Sequence, residues 1–316
     1  MSARFAALDV GTNTVLLLVA ERRGPGFVPV VERARITRLG RGVDRSGRLD
    51  PAAIAETVAT LAEFAGEARA LGAGGIACVA TSAARDAANG ADFFAASRAA
   101  AGLVPEVISG EEEARLVYGS AWRDFGLGGG AGLPAGLPLA VLDVGGGSTE
   151  FTWGDDPEPR GRLSLQLGAV RLTERHPAAD PPGTAGLQAL KRAAATALAG
   201  LGKLQGIAEL AGARLVGVAG TVTTLAAVGQ ALPAYDAERV HGSTLGLDEV
   251  DALLERMAAL PLERRKRLPG MEPKRADVIL AGGAIVAEAM RRTGFSALTV
   301  SDRGVRWGLL WDRFGA

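Results

Sequence analysis

The 316-residue sequence predicts an α/β protein in which one strand-and-helix unit is used twice. Three observations carry this expectation. Asp9-Val10-Gly11 is echoed by Asp143-Val144-Gly145, each following one apolar run and preceding another. Val79-Ala80-Thr81-Ser82 is echoed by Val218-Ala219-Gly220-Thr221. The intervals are similar, 72 residues from Asp9 to Thr81 and 78 from Asp143 to Thr221. Such repetition suggests duplication, although two unrelated α/β domains with similar strand-end turns would also produce it. Two units facing each other would place both glycine turns at a shared cleft, where small-molecule sites concentrate.

The elements follow in order. Phe5 to Leu8 leads into Asp9, and Val15 to Ala20 follows the turn Gly11-Thr12-Asn13-Thr14, giving strand, turn, strand. A third strand is expected over residues 27–38, then a loop over 40–50. Pro51 suits the first turn of a helix, which runs with an apolar stripe to about Leu71. Ile76 to Ala80 reads as a buried strand, and the helix after it carries Arg85 and Asp86. Ser109 and Glu112 have the spacing of a capping box. Residues 126–138 are rich in Gly, Ala, Leu and Pro, and read as a flexible connection. The G-x-G-x-x-A inside that stretch follows no strand and opens no helix, so the dinucleotide-binding reading fails. Leu137 to Leu142, Phe151 to Trp153 and Leu215 to Val218 are the strands of the second half. The expected domains are 1–125 and 126–301, with a terminal helix in 302–316 packing back on the first.

Composition narrows the function. Hydrophobic residues at 48% and charged residues at 22% indicate a soluble globular chain. The zero formal charge argues against a broad nucleic-acid surface. The one cysteine, Cys78, lies in an apolar run and reads as an inert thiol, which excludes disulfides and a cysteine-based zinc site. The N-terminus enters a strand without a signal-peptide core, and no apolar run reaches transmembrane length, so no membrane partner and a cytoplasmic location are expected. Only four of the 35 basic residues are Lys, and Arg is the better bidentate phosphate ligand. His176 and His241 lack partners at metal-ligand spacing, and no Walker A sequence occurs.

Gly145-Gly146-Gly147-Ser148-Thr149-Glu150 carries the chemistry. Glycines let backbone N–H groups close on an anion, and Ser148 and Thr149 add hydroxyl donors. Asp143, at a strand tip, suits a hard cation such as Mg²⁺; one copy alone is equally a tight hairpin with an incidental acid. Glu113 has Leu116, Val117, Ser120 and Ala121 on its helical face, which turns it toward packed structure. It is either a general base for water or a salt-bridged residue of the first turn. Arg171 either neutralises substrate phosphate or pairs with Glu174. Gly220-Thr221, at a helix start, is a candidate anion or nucleotide contact. Glu263-Arg264-Arg265-Lys266-Arg267 is either a solvated loop or the extension of a polyanion track.

Taken together, these motifs resemble the exopolyphosphatase / guanosine pentaphosphate phosphohydrolase (Ppx/GppA) family of the actin-like ATPase superfamily. The resemblance spans nearly the whole chain. It rests on Asp9-Val-Gly-Thr-Asn-Thr, Ala80 to Asn89, Ile108 to Leu116, Asp143 to Glu150, Gly168 to Leu172, Gly217 to Thr221, Arg275 to Ile279 and Val300 to Gly308. It implies two ribonuclease-H-like domains with an interdomain cleft that works with Mg²⁺ or Mn²⁺. Glu113 matches the family's water-activating glutamate, and Asp143 and Glu150 match carboxylates that bind metal or position the water. Asp9 is the third expected metal carboxylate. Gly11, Thr12, Asn13, Thr14 and Gly145, Gly146, Gly147, Ser148, with Thr149, match the phosphate loops, and Arg85 a phosphate-neutralising position. The expected activity is release of terminal phosphate from inorganic polyphosphate. Guanosine pentaphosphate is the alternative substrate, and phosphate or nucleotide sensing without turnover the alternative class. A homodimer stays open. Longer relatives carry a further C-terminal helical domain, and Trp307 replaces a usually charged position.

Overall fold

The computed structural model describes residues 3–126, 137–203, 210 and 212–315. The connection expected over 126–138 therefore lies almost wholly outside the described residues. The chain divides into two compact units, Met1–Leu116 with Val305–Ala316, and Val117–Gly304.

In the first unit, β1 (Arg4–Val10), β2 (Thr14–Arg23) and β3 (Gly26–Ile36) form an antiparallel meander. A short α1 (Val43–Ser46) and a long α2 (Pro51–Ala70) follow. Then come β4 (Ala73–Ala80), α3 (Ser82–Asp86), α4 (Gly90–Ala101), β5 (Glu106–Val107) and α5 (Gly110–Ala121). The sheet order is β3-β2-β1-β4-β5, with β4 and β5 parallel additions to the meander. β1 and β2 are apolar on successive residues because both faces of the sheet are covered. Asp50 starts α2 by accepting the N–H groups of Ala52 and Ala53, which releases Pro51 to the first turn. Leu61, Phe64 and Ala65 of α2 bury against Leu8, Val10, Leu17 and Val19 of the sheet. The C-terminal helix, Val305–Phe314, belongs to this unit. Phe314 stacks on Phe5 at 4.5 Å, Trp311 meets the edge of Phe27 at 4.8 Å, and Arg306 pairs with Glu32 at 2.6 Å. Trp307 is buried.

The second unit contains β6 (Leu139–Val144), β7 (Thr149–Gly154), β8 (Gly161–Leu165), α6 (Ala169–Arg175), α7 (Gly183–Ala197), β9 (Arg214–Val218) and α8 (Ala219–Gly229). It continues with α9 (Ala237–Val240), β10 (Thr244–Gly246), α10 (Leu247–Ala258), α11 (Leu262–Arg265), α12 (Ile279–Thr293) and β11 (Ala297–Val300). Its sheet order, β8-β7-β6-β9-β11-β10, repeats that of the first unit through its first five strands and adds one antiparallel edge. The meander is again antiparallel, and β9 and β11 are again parallel. Two units with one topology account for the echoes in the sequence. No helix among the described residues is long and apolar enough to cross a membrane.

Candidate active site

The two glycine turns have the same internal geometry. Gly11 N–H donates to the Thr14 carbonyl at 3.0 Å, and Gly145 N–H donates to the Ser148 carbonyl at 3.0 Å. Asp9 and Asp143, two residues before these glycines, are both buried. Across the meander, however, the units differ. Leu16 stands opposite Asp9, whereas Glu150 stands opposite Asp143. Directly opposed residues of an antiparallel pair share one face, with Cβ atoms about 4.5–5.5 Å apart. Only the second unit therefore sets two carboxylates side by side. Burial pushes Asp143 up to about 7. Ser164, the next residue across on β8, donates to Glu150 Oε1 at 2.8 Å. No motif marks Ser164 in the sequence; its place in the strand register does.

The loop from Gly145 to Ser148 is built on the start of α6. Ala169 N–H donates to the Gly145 carbonyl and Val170 N–H to that of Gly146, both at 2.9 Å. Arg171 Nε reaches the Gly147 carbonyl at 2.9 Å, and its Nη2 reaches Gln166 at 2.8 Å. Gly168 lies so close beneath that a Cβ there would overlap the Gly146 carbonyl. In a planar trans peptide the carbonyl and the next N–H point in opposite directions. With three carbonyls turned to α6 and Arg171, the amides of Gly146, Gly147 and Ser148 point to the opposite side of the loop. The first unit repeats the device. Thr12 accepts from Gly40 N–H at 2.8 Å, and Asn13 accepts from Thr37 and Arg38 at 3.1 and 3.0 Å, so the Asn13 and Thr14 amides face away from that support.

Glu113 occupies the first turn of α5 and is 8% exposed. Ser109 Oγ accepts Glu112 N–H at 3.1 Å, which is half of the expected capping box. The other half does not form, because the Glu112 carboxylate receives Arg115 Nε and Nη2 at 2.9 and 2.7 Å. A two-pronged guanidinium outcompetes a single backbone N–H. Arg85 Nη1 lies 3.9 Å from Glu113 Oε2 and donates to the Ile108 carbonyl at 3.0 Å, while its Nε lies 3.5 Å from Asp86. This places positive charge beside the Glu113 carboxylate.

The sequence model of the Ppx/GppA phosphatase family matches residues 18–315. The chain belongs to this family. It is thus a hydrolase of phosphoanhydride bonds. It is 39% identical over 322 residues to Exopolyphosphatase 2 of Mycobacterium tuberculosis, with 97% of each chain covered. The crystal structure of an exopolyphosphatase-like protein matches at 30% identity with a TM-score of 0.89, covering 98% of this chain and 97% of that one. The Aquifex aeolicus PPX-GPPA enzyme matches at 32% identity with a TM-score of 0.78, covering 99% and 100%. These neighbours share the actin-like ATPase type of fold expected from the sequence.

In this Ppx/GppA chain several expected ligand residues also hold the site together. Thr149 donates its hydroxyl proton to the Leu167 carbonyl at 2.6 Å, and Thr221 to that of Val144 at 3.2 Å. Gly220 follows Ala219, a non-glycine residue at φ 70°, and the Arg275 guanidinium packs where its Cβ would lie. His241 accepts the Asp302 N–H at 3.3 Å and approaches Asp124 at 3.9 Å. The basic run at 263–267 is only partly a solvated surface. Arg265 is buried and donates to the carbonyls of Met257, Leu260 and Ala276 around the ends of neighbouring helices. Lys266 pairs with Glu263 at 2.6 Å. Among the described residues, no three His, Cys, Asp or Glu side chains form a ready-made metal cluster. Two adjacent carboxylates nonetheless fit Mg²⁺, which takes one or two protein carboxylates and completes its shell with water and substrate phosphate.

Proposed function

We propose that the protein is an exopolyphosphatase that removes the terminal phosphate of inorganic polyphosphate by attack of water. The observation that carries this reading is the set of outward amides at Gly146, Gly147 and Ser148, beside the opposed carboxylates Asp143 and Glu150. Those donors suit the oxygens of a phosphoryl group, and the corresponding turn at Gly11–Thr14 suits a second phosphate. Asp143 and Glu150 are the residues that would hold Mg²⁺, or Mn²⁺, whose charge would offset that of the phosphoanhydride. Glu113, beside Arg85, accepts the proton of the attacking water, a role typically worth about 10²–10⁴ in rate. Ser164 orients Glu150, and Arg171 with Gly168 holds the loop in shape. The relatives named exopolyphosphatase support the choice of substrate.

The test is phosphate release from polyphosphates of several lengths, with guanosine pentaphosphate in parallel and divalent cation added or chelated. Metal-dependent release that favours polyphosphate is expected. Preference for guanosine pentaphosphate would assign the alternative substrate, and binding of either without release would make the protein a sensor.

A further inference from the structure

The segment from Arg38 to Arg48 is a rigid arm beside the first glycine turn. Its start is fixed by the Gly40 N–H on the Thr12 carbonyl, and Gly40 sits so close that a Cβ would overlap the Thr12 side chain. Its far end is fixed by Asn89, which accepts Leu49 N–H at 2.7 Å and donates to the Leu49 carbonyl at 3.2 Å. Ala88 N–H adds a bond to the Gly47 carbonyl at 2.9 Å. Leu39, Val43 and Leu49 anchor it in the core of the first unit.

On this fixed arm the long exposed side chains are basic. Arg41, Arg45 and Arg48 are exposed, and none makes an ion pair or side-chain hydrogen bond among the described residues. Nearby β3 treats its arginines differently, pairing Arg33 with Glu67 at 2.8 Å and Arg35 with Glu63 at 2.5 Å. Asp44 is the one acid from 38 to 48. The backbone under these three guanidinia needs no further ordering to meet an anion, so only side-chain freedom is lost on binding.

We propose that Arg41, Arg45 and Arg48 form a distal subsite for a linear polyanion, binding phosphates of a polyphosphate chain beyond its reacting end. The inference rests on the polyphosphate reading above and adds a selection for chain length. On this proposal a short substrate engages fewer of these guanidinia than a long one. Binding to such a track releases counterions, so it weakens as salt rises.

The test compares the wild-type chain with the triple variant Arg41→Gln/Arg45→Gln/Arg48→Gln, each in a Glu113→Gln background to spare the ligand. A control triple variant, Arg192→Gln/Arg239→Gln/Arg256→Gln, removes the same charge at exposed positions elsewhere. Dissociation constants for long-chain polyphosphate and for tripolyphosphate are measured across a salt series, with thermal unfolding to check the fold. The arm variant should bind the long chain about tenfold more weakly, and the slope of log Kd on log salt should fall by about 2. Its affinity for tripolyphosphate should stay within about twofold, as should the control on both ligands. Long-chain binding like that of wild type, or a loss matched by the control or by tripolyphosphate, would overturn the subsite. In those outcomes phosphate release by the parent enzyme still stands, so the subsite fails alone. A parent that neither binds nor cleaves polyphosphate fails on both counts.

Discussion

Asp143 is held in its place against its own electrostatics. Burial raises its carboxyl from 3.8 to about 7, so between those values the native state keeps a proton that the unfolded chain has released. The metal-free protein should therefore lose stability as pH rises from about 4 to about 7. Asp143→Asn should remove that slope, raise the melting temperature at alkaline pH in chelator, and abolish most phosphate release. Identical pH–stability curves for the two proteins would show that the buried charge is not the cause. Ser164 acts on the neighbouring acid. Ser164→Ala removes a hydrogen bond to Glu150, and kcat should fall about tenfold while KM changes little. A change in KM alone would place Ser164 in binding instead.

At the scale of elements, the loop and the helix beneath it form one object. Gly168→Ala would drive a methyl group into the Gly146 carbonyl, and should cost about 1–3 kcal/mol together with much of the activity. Gly66 is the opposite case. It lies exposed inside α2 with open space around it, so Gly66→Ala should stabilise by about 0.5–1 kcal/mol and leave turnover unchanged. Chemical denaturation of the pair separates a glycine needed for close packing from one that only weakens a helix. The same contrast explains what could be read in advance. Asp9-Val-Gly and Asp143-Val-Gly were legible because a strand-end acid and glycine lie adjacent in the chain. The support of the loop by Gly168, the reach of Ser164 to Glu150, and the burial of Arg265 depend on partners brought together only by strand register or helix packing. Half of the capping box formed, and the other half was lost to a local competitor, Arg115, which takes the Glu112 carboxylate one turn on in the same helix.

In the whole molecule, the two units share one topology but differ at the strand facing the acid. Both units keep the meander, the parallel additions and the turn, but Leu16 stands where the second unit has Glu150. In the first unit Glu113 lies beside Arg85, on a helix that Arg115 ties to Asp312 of the C-terminal helix. Arg306 ties that helix to Glu32, and Arg306→Ala should destabilise by about 1–2 kcal/mol, given that Glu32 is partly exposed. Thermal unfolding unchanged by this substitution would leave the aromatic contacts of Phe5, Phe27, Trp311 and Phe314 as the main attachment.

The most direct measurement is metal-dependent phosphate release from polyphosphate by wild type and Glu113→Gln, with polyphosphate binding measured on both. The account predicts a rate loss of about 10²–10⁴ with binding retained. Turnover by the variant close to that of wild type would contradict it.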